Sequence, residues 1–218
     1  MVFLAALSPG AVLGAGAASQ APAQAQAPVR ILVVGDSLSA EYGIARDSGW
    51  VSLLRRTLTT ANPPVEVINA SISGDTTSGG LTRLASLLDR HTPSIVIIEL
   101  GANDGLRGLP VAMARANLQK MTTLAKDRGS RVVLVGIQVP PNYGREYAEG
   151  FKKMFGELAV ANQAALVPFL FAGLDDTAAY FQPDRMHPNE AAQPILLRNI
   201  MEVLGPEIKA AQRPVHPK

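Results

Sequence analysis

Ser37 comes just after the apolar run Ile31-Leu32-Val33-Val34, past the turn at Gly35-Asp36. Such a serine is presented at the open end of a buried strand, where a nucleophile belongs. A serine hydroxyl is a weak nucleophile until a base takes its proton, so this chemistry requires a histidine. The chain has three. His91 ends a periodic segment beside Thr92-Pro93, and His216 lies near the C-terminus. His187 alone sits in a turn-rich stretch, Gln182-Pro183-Asp184-Arg185-Met186-His187-Pro188-Asn189, with a carboxylate three residues before it. An aspartate bonded to one imidazole nitrogen fixes the tautomer and stabilises the imidazolium formed when the other nitrogen takes a proton. On one short turn, Asp184 and His187 arrive as a preassembled pair. The plainer alternative makes both of them turn-formers that cap the last helix.

Acyl transfer also needs donors aimed at the oxygen that becomes negative. Gly74, within Ser73-Gly74-Asp75, has no side chain to obstruct its backbone N–H. Asn103, within Gly101-Ala102-Asn103-Asp104, offers a side-chain amide, and the Ser37 N–H completes the set. Taken singly, each of these is as well explained as a turn residue. Taken together, they place a serine, a small-residue turn and an amide after successive strands, and an Asp–His pair follows near the C-terminus.

The elements that position them are legible as alternation. Apolar runs at Arg30 to Val34, Val65 to Asn69, Ser94 to Glu99, Arg131 to Ile137 and Ala165 to Leu170 read as strands. Segments of helical period lie between them: Trp50, Leu53, Leu54 and Leu58 share one face, as do Leu81, Leu84 and Leu88. Pro110 suits the first turn of a third helix ending by Gly129, and Tyr147, Phe151, Met154, Phe155 and Leu158 mark a fourth. The last helix is expected to start with Asn189 as N-cap, to be bent early by Pro194, to bury Leu196, Leu197, Ile200 and Leu204, and to end at Gly205-Pro206. Strands alternating with helices predict an α/β fold, a parallel sheet covered on both faces. Ligands bind such sheets beyond the carboxyl ends of the strands, where these residues gather.

Bulk properties narrow the function further. With 218 residues, one domain with a sizeable core is expected. A net charge of +2, with basic residues in pairs such as Arg55-Arg56 and Lys152-Lys153, gives no footprint for nucleic acid. With no cysteine and three scattered histidines, no metal site or cofactor is expected. Residues 1–27 carry no charge through Gln26 and dissolve into Ala, Gln and Pro, which reads as a signal-peptide remnant and linker, without the usual basic start. Export to the periplasm or the medium is the expectation. The domain is expected over 28–209, with a flexible tail at 210–218 and no membrane span.

Four blocks of this sequence carry a resemblance. Gly35-Asp36-Ser37-Leu38-Ser39, Asn69-Ala70-Ser71-Ile72-Ser73-Gly74-Asp75-Thr76, Glu99 to Gly108, and Asp184-Arg185-Met186-His187-Pro188-Asn189 resemble the blocks of the SGNH (GDSL) hydrolases. Within them the chain is similar to the bacterial group of thioesterases, lysophospholipases and arylesterases, from about Arg30 to Leu204. The resemblance implies a three-layer α/β/α flavodoxin-like fold with a five-stranded parallel sheet and a monomeric serine esterase or thioesterase acting on small acyl substrates. It assigns Ser37, Asp184 and His187 as the triad and Ser37, Gly74 and Asn103 as the oxyanion hole. It further implies an acyl groove bounded by Leu106, in a mobile loop from Gly105 to Pro110, with Val139 and Tyr143 near it. Two departures stand out: Ala102 replaces a common second glycine, and the wording around Arg185-Met186 is unusual.

Two other readings remain. A carbohydrate O-acetyl esterase on the same fold would use the same residues but need a shallow polar site, against which the Leu106, Leu109, Val139 and Pro140-Pro141 cluster argues. A non-catalytic ligand-binding module would hold a phosphate at the strand ends, yet neither Gly-x-Gly-x-x-Gly nor Gly-x-x-x-x-Gly-Lys-Ser/Thr is present.

Overall fold

Runs of β-branched and aliphatic residues buried on both faces form the middle of the molecule. In a computed structural model, which describes Val2 and residues 28–213, they pair as five parallel strands in the order β2-β1-β3-β4-β5. These are β1 (Arg30–Gly35), β2 (Glu66–Asn69), β3 (Ile95–Glu99), β4 (Arg131–Val135) and β5 (Ala165–Val167). Central β3 is buried along its whole length, as continuous Val/Ile runs in doubly covered parallel sheets are. The expected strands are all present, four with shorter ends and β1 one residue longer. β4 stops at Gly136, where an added Cβ would lie 2.3 Å from the Pro168 carbonyl oxygen, and β5 stops at Pro168, which has no N–H for a ladder.

The helices are α1 (Trp50–Thr59), α2 (Thr77–His91), α3 (Ala102–Leu106), α4 (Val111–Asp127), α5 (Arg145–Asn162), α6 (Thr177–Tyr180) and α7 (Gln193–Ala211). α1 packs with α7 over one face of the sheet, and α2, α4 and α5 pack side by side over the other. This is the three-layer flavodoxin-like arrangement. Trp50, Leu54 and Leu58 of α1, and Leu84 and Leu88 of α2, are buried as their spacing requires, while Leu53 and Leu81 are half-buried at the edges of their stripes.

Three expectations are corrected. The Asn103-Asp104-Gly105 segment is not a free turn but the body of the short helix α3. Asn189 caps a single 3-10 turn, Glu190–Ala192, and α7 starts after it. Pro194 therefore falls in the first helical turn, where its missing N–H costs nothing and no bend is needed. Finally, α7 runs through Gly205-Pro206 to Ala211, because Ile208 buries one turn beyond Leu204 on the same face. That burial outweighs one lost helical bond. The helix thus enters the stretch expected as a tail, of which residues 214–218 lie outside the described residues. So does the leader-like stretch 1–27, apart from Val2.

Strand order reverses between β1 and β3, so the chain leaves these neighbours toward opposite sides and opens a crevice at their carboxyl ends. Ser37 lies two residues past β1 and Asn103 four residues past β3.

Candidate active site

Gly35 and Asp36 turn the chain out of β1 so that Ser37 stands half-buried at the crevice. From the other end of the sequence, the turn before the Glu190–Ala192 segment brings His187 to it. The His187 Nε2 lies 2.9 Å from the Ser37 Oγ, and its Nδ1 lies 2.6 Å from Asp184 Oδ2. Asp184 Oδ1 accepts the backbone N–H of Met186 and of His187 at 2.9 and 3.0 Å, which locks the carboxylate to its own turn. Slight burial of Asp184 opposes its charge. The two N–H donors, the imidazole bond and the imidazole charge outweigh it and bring the carboxyl down to about 2. It is therefore anionic wherever His187 must accept a proton. Tyr42 packs on the imidazole with ring centroids 4.5 Å apart.

The donor side is built from three loops. Gly74 has φ of +80° with nothing within 4 Å of an added Cβ, so glycine is favoured there by backbone conformation and not by crowding. Among the described residues, no protein group accepts the backbone N–H of Ser37 or of Gly74. The Asn103 amide is placed by two acceptors, Asp36 Oδ2 at 3.1 Å and the Asp75 carbonyl at 2.9 Å. Arg107 donates to the Gly74 carbonyl at 3.0 Å, tying α3 to the Gly74 turn. Buried Asp104 accepts from the Thr77 N–H and hydroxyl at 2.8 and 2.6 Å, joining α3 to the start of α2. Ala102 sits in helical conformation as the first residue of α3, so the glycine that usually stands there is not needed.

Beneath the serine lies a carboxyl pair that sequence reasoning did not single out. Asp36 is fully buried and accepts from Leu38 N–H at 3.0 Å as well as from Asn103. Burial pushes its carboxyl up to about 6, against the pull of those two donors. Glu99, at the end of β3, is also fully buried. Burial and the neighbouring Asp36 charge raise its carboxyl well above the usual range. Its Oε2 accepts the Ser39 hydroxyl at 2.7 Å, and its Oε1 finds no protein partner. The available signal was a lone carboxylate ending an otherwise apolar buried strand.

Ser37, Asn103 and His187 open onto a cavity of about 460 Å³. Leu106 and Val139 line it as expected, together with Ile137 and a run of rings that the sequence did not reveal, Phe169, Phe171 and Phe181. Phe171 packs edge-on against Phe181 at 5.5 Å and lies 5.8 Å from Phe169. Tyr143 is not part of the wall. It stands one step back, donating its hydroxyl to the Leu106 carbonyl at 3.0 Å, and Tyr147 similarly holds the Leu109 carbonyl at 2.8 Å. Among the described residues, no group of three or more His, Asp or Glu is placed to hold a metal ion.

A serine, histidine and aspartate in hydrogen-bonded sequence, on a parallel α/β/α sheet and beside an apolar cavity, define the class of serine acyl hydrolases. The chain belongs to the GDSL-like lipase/acylhydrolase family, whose profile matches residues 33–194. It is 46% identical over 183 residues to esterase TesA of Pseudomonas aeruginosa, spanning 84% of this chain and 91% of that one. It is 37% identical over 183 residues to thioesterase 1/protease 1/lysophospholipase L1 of Escherichia coli K12, spanning 84% and 86%. A crystal structure of TesA superposes with a TM-score of 0.79 at 47% identity, covering 82% of this chain and 99% of that one.

Proposed function

We propose that this protein hydrolyses esters and thioesters of single acyl chains, such as aryl esters, lysophospholipids and acyl thioesters, through an acyl-enzyme. The observation that carries this reading is the chain of contacts from Ser37 through His187 to Asp184, opening onto the apolar cavity. Ser37 Oγ attacks the acyl carbon as His187 Nε2 takes its proton, and Asp184 stabilises the imidazolium. The negative oxygen of the tetrahedral intermediate is held by the N–H groups of Ser37 and Gly74 and by the Asn103 amide, which gives up its bond to the Asp75 carbonyl. His187 then protonates the departing oxygen or sulfur as its bond to the acyl carbon breaks. A water activated by the same imidazole attacks the acyl-enzyme and frees the acid.

The acyl chain lies against Val139, Ile137 and the phenylalanines. The same apolar wall argues against an acetylated sugar, which needs polar partners. Names of relatives support the breadth of substrate: one is an esterase and another a thioesterase and lysophospholipase. The deciding experiment is hydrolysis of 4-nitrophenyl octanoate by wild type and Ser37→Ala, both checked for folding. A loss of roughly a thousandfold or more is expected. Equal rates would remove Ser37 from the mechanism.

We also infer an exported monomer. The uncharged, alanine-rich first 27 residues support export, which cell fractionation of the expressed full chain tests; retention in the cytoplasm would refute it. A site whose elements all come from one chain supports the monomer, and a dimer mass in sedimentation equilibrium would refute it.

A further inference from the structure

Arg185 stands between Asp184 and His187 with φ of +57°, a region that residues with a long side chain rarely occupy. Glycine, or an asparagine, would sit there without strain. An arginine held in such a conformation inside the acid–base turn needs a reason, and strained backbone concentrates where side chains act on ligands. The surroundings supply one. Arg185 lines the cavity alongside Ser37 and His187, is solvent-exposed, and among the described residues forms no ion pair. Its chain neighbour Asp184 is already bonded to His187 at 2.6 Å. A second guanidinium, Arg107, is fixed on the Gly74 carbonyl. Among the described residues, Arg185 is the one permanently charged side chain that lines this otherwise apolar cavity.

Direction follows from the chemistry. His187 delivers its proton to the departing oxygen or sulfur, so the leaving group lies on the His187 side of Ser37. Arg185 is two residues away on that same turn. A guanidinium presents paired donors that match phosphate oxygens. We propose that Arg185 is a specificity-determining residue that selects acyl esters and thioesters whose leaving group carries an anionic phosphate. This rests on the ester and thioester hydrolase reading above and adds to it the charge of the leaving group. The phosphate has two sources in that reading, a lysophospholipid head group or the nucleotide portion of an acyl-CoA.

Two matched substrate pairs test it, each with one acyl chain and a leaving group with or without phosphate. They are octanoyl-CoA against the octanoyl thioester of N-acetylcysteamine, and 1-octanoylglycerol 3-phosphate against 1-octanoylglycerol. Wild type, Arg185→Gly and Arg185→Lys are compared at low salt, with thermal melts to follow the fold. Glycine suits the backbone conformation, so its effect isolates the guanidinium. The ratio of kcat/KM for the anionic to the neutral partner falls about tenfold in Arg185→Gly, through KM. The lysine variant retains most of that preference, and the wild-type preference shrinks as salt screens the exposed charge. The pair whose ratio falls identifies the source of the phosphate. A ratio that is unchanged in both pairs, or a parallel loss on charged and neutral partners, overturns the proposal and leaves Arg185 a turn residue. Failure of wild type to cleave even the neutral thioester and ester would instead sink the hydrolase reading on which this one stands.

Discussion

At the residue scale the site depends on carboxyl groups kept in opposite states. Asp184, donor-rich and partly exposed, is held anionic. Glu99, dry and beside another carboxyl, is pushed toward its neutral form, as Asp36 is to about 6. The titration of Asp36 predicts how stability depends on pH. Its folded value, about 6, is above its ordinary 3.8, so the folded chain binds the proton more tightly than the unfolded chain does. Stability from this group is therefore fully present below about pH 4 and is lost as pH rises through about 6. Glu99, also raised, acts with the same sign. The Asp36 displacement corresponds to about 3 kcal/mol across that window. We expect unfolding free energies in urea to fall between about pH 4 and about pH 7 in wild type, and to fall less in Asp36→Asn and in Glu99→Gln. An unchanged slope in both variants would place the dependence elsewhere. The triad was legible in the sequence because its residues declare themselves by type and by a spacing confined to one turn. The Asp36–Glu99 pair was not, because its state is set by burial and by a neighbour across the sheet.

At the element scale the question is what holds Asn103 at the end of β3. The chain must turn sharply out of the strand, and it does so at Gly101, with φ of +127°. A Cβ there would lie 3.3 Å from the ring tips of both Phe151 and Phe155 in α5. Two independent penalties thus meet at one position, backbone strain and contact with two buried rings. Gly101→Ala is expected to cost about 1–3 kcal/mol in urea unfolding and to reduce kcat by displacing the Asn103 amide two residues on. Gly74→Ala is the useful comparison, since it adds strain in open space, and its stability loss should be the smaller of the two. A Gly101→Ala enzyme with wild-type kcat would show that the oxyanion side tolerates a shifted α3. The long elements were readable because an apolar stripe repeated over three or more turns is unambiguous. α3 was not, since five residues around Asn-Asp-Gly have no period and carry turn chemistry. The continuation of α7 past Gly205-Pro206 was hidden for the converse reason: local breakers spoke for an end that the burial of Ile208 overrules.

At the scale of the whole molecule, Ser37 and His187 are separated by 150 positions and meet only because the two ends of the fold are fastened together. One fastening is Gln193, at the start of α7 and nearly fully buried. Its Oε1 accepts the Trp50 N–H at 2.9 Å, satisfying one of the otherwise unpaired donors at the start of α1. Its Nε2 donates to the Asn189 carbonyl at 3.1 Å, two residues beyond His187. Around it, Gln182 donates to the Tyr42 carbonyl at 2.8 Å, and Glu190 accepts the Ala45 N–H at 3.1 Å. The turn bearing the acid and base is thus stitched to the segment between β1 and α1 that follows the nucleophile. No pattern in the sequence marks Gln193, because the Trp50 N–H it satisfies lies 143 positions away and an isolated glutamine has no period. Gln193→Leu keeps a comparable volume but leaves the Trp50 N–H buried without a partner, a loss of about 1–3 kcal/mol for such a group, while the Asn189 carbonyl keeps the Ala192 N–H at 3.2 Å. If the stitch also sets the Ser37–His187 distance, kcat should fall several-fold with KM little changed, because misplacement of the base affects the transition state and not substrate capture. Urea unfolding and steady-state kinetics on 4-nitrophenyl octanoate separate the two effects. A variant that loses stability but keeps kcat would show that the turn holds His187 in register without help from α1.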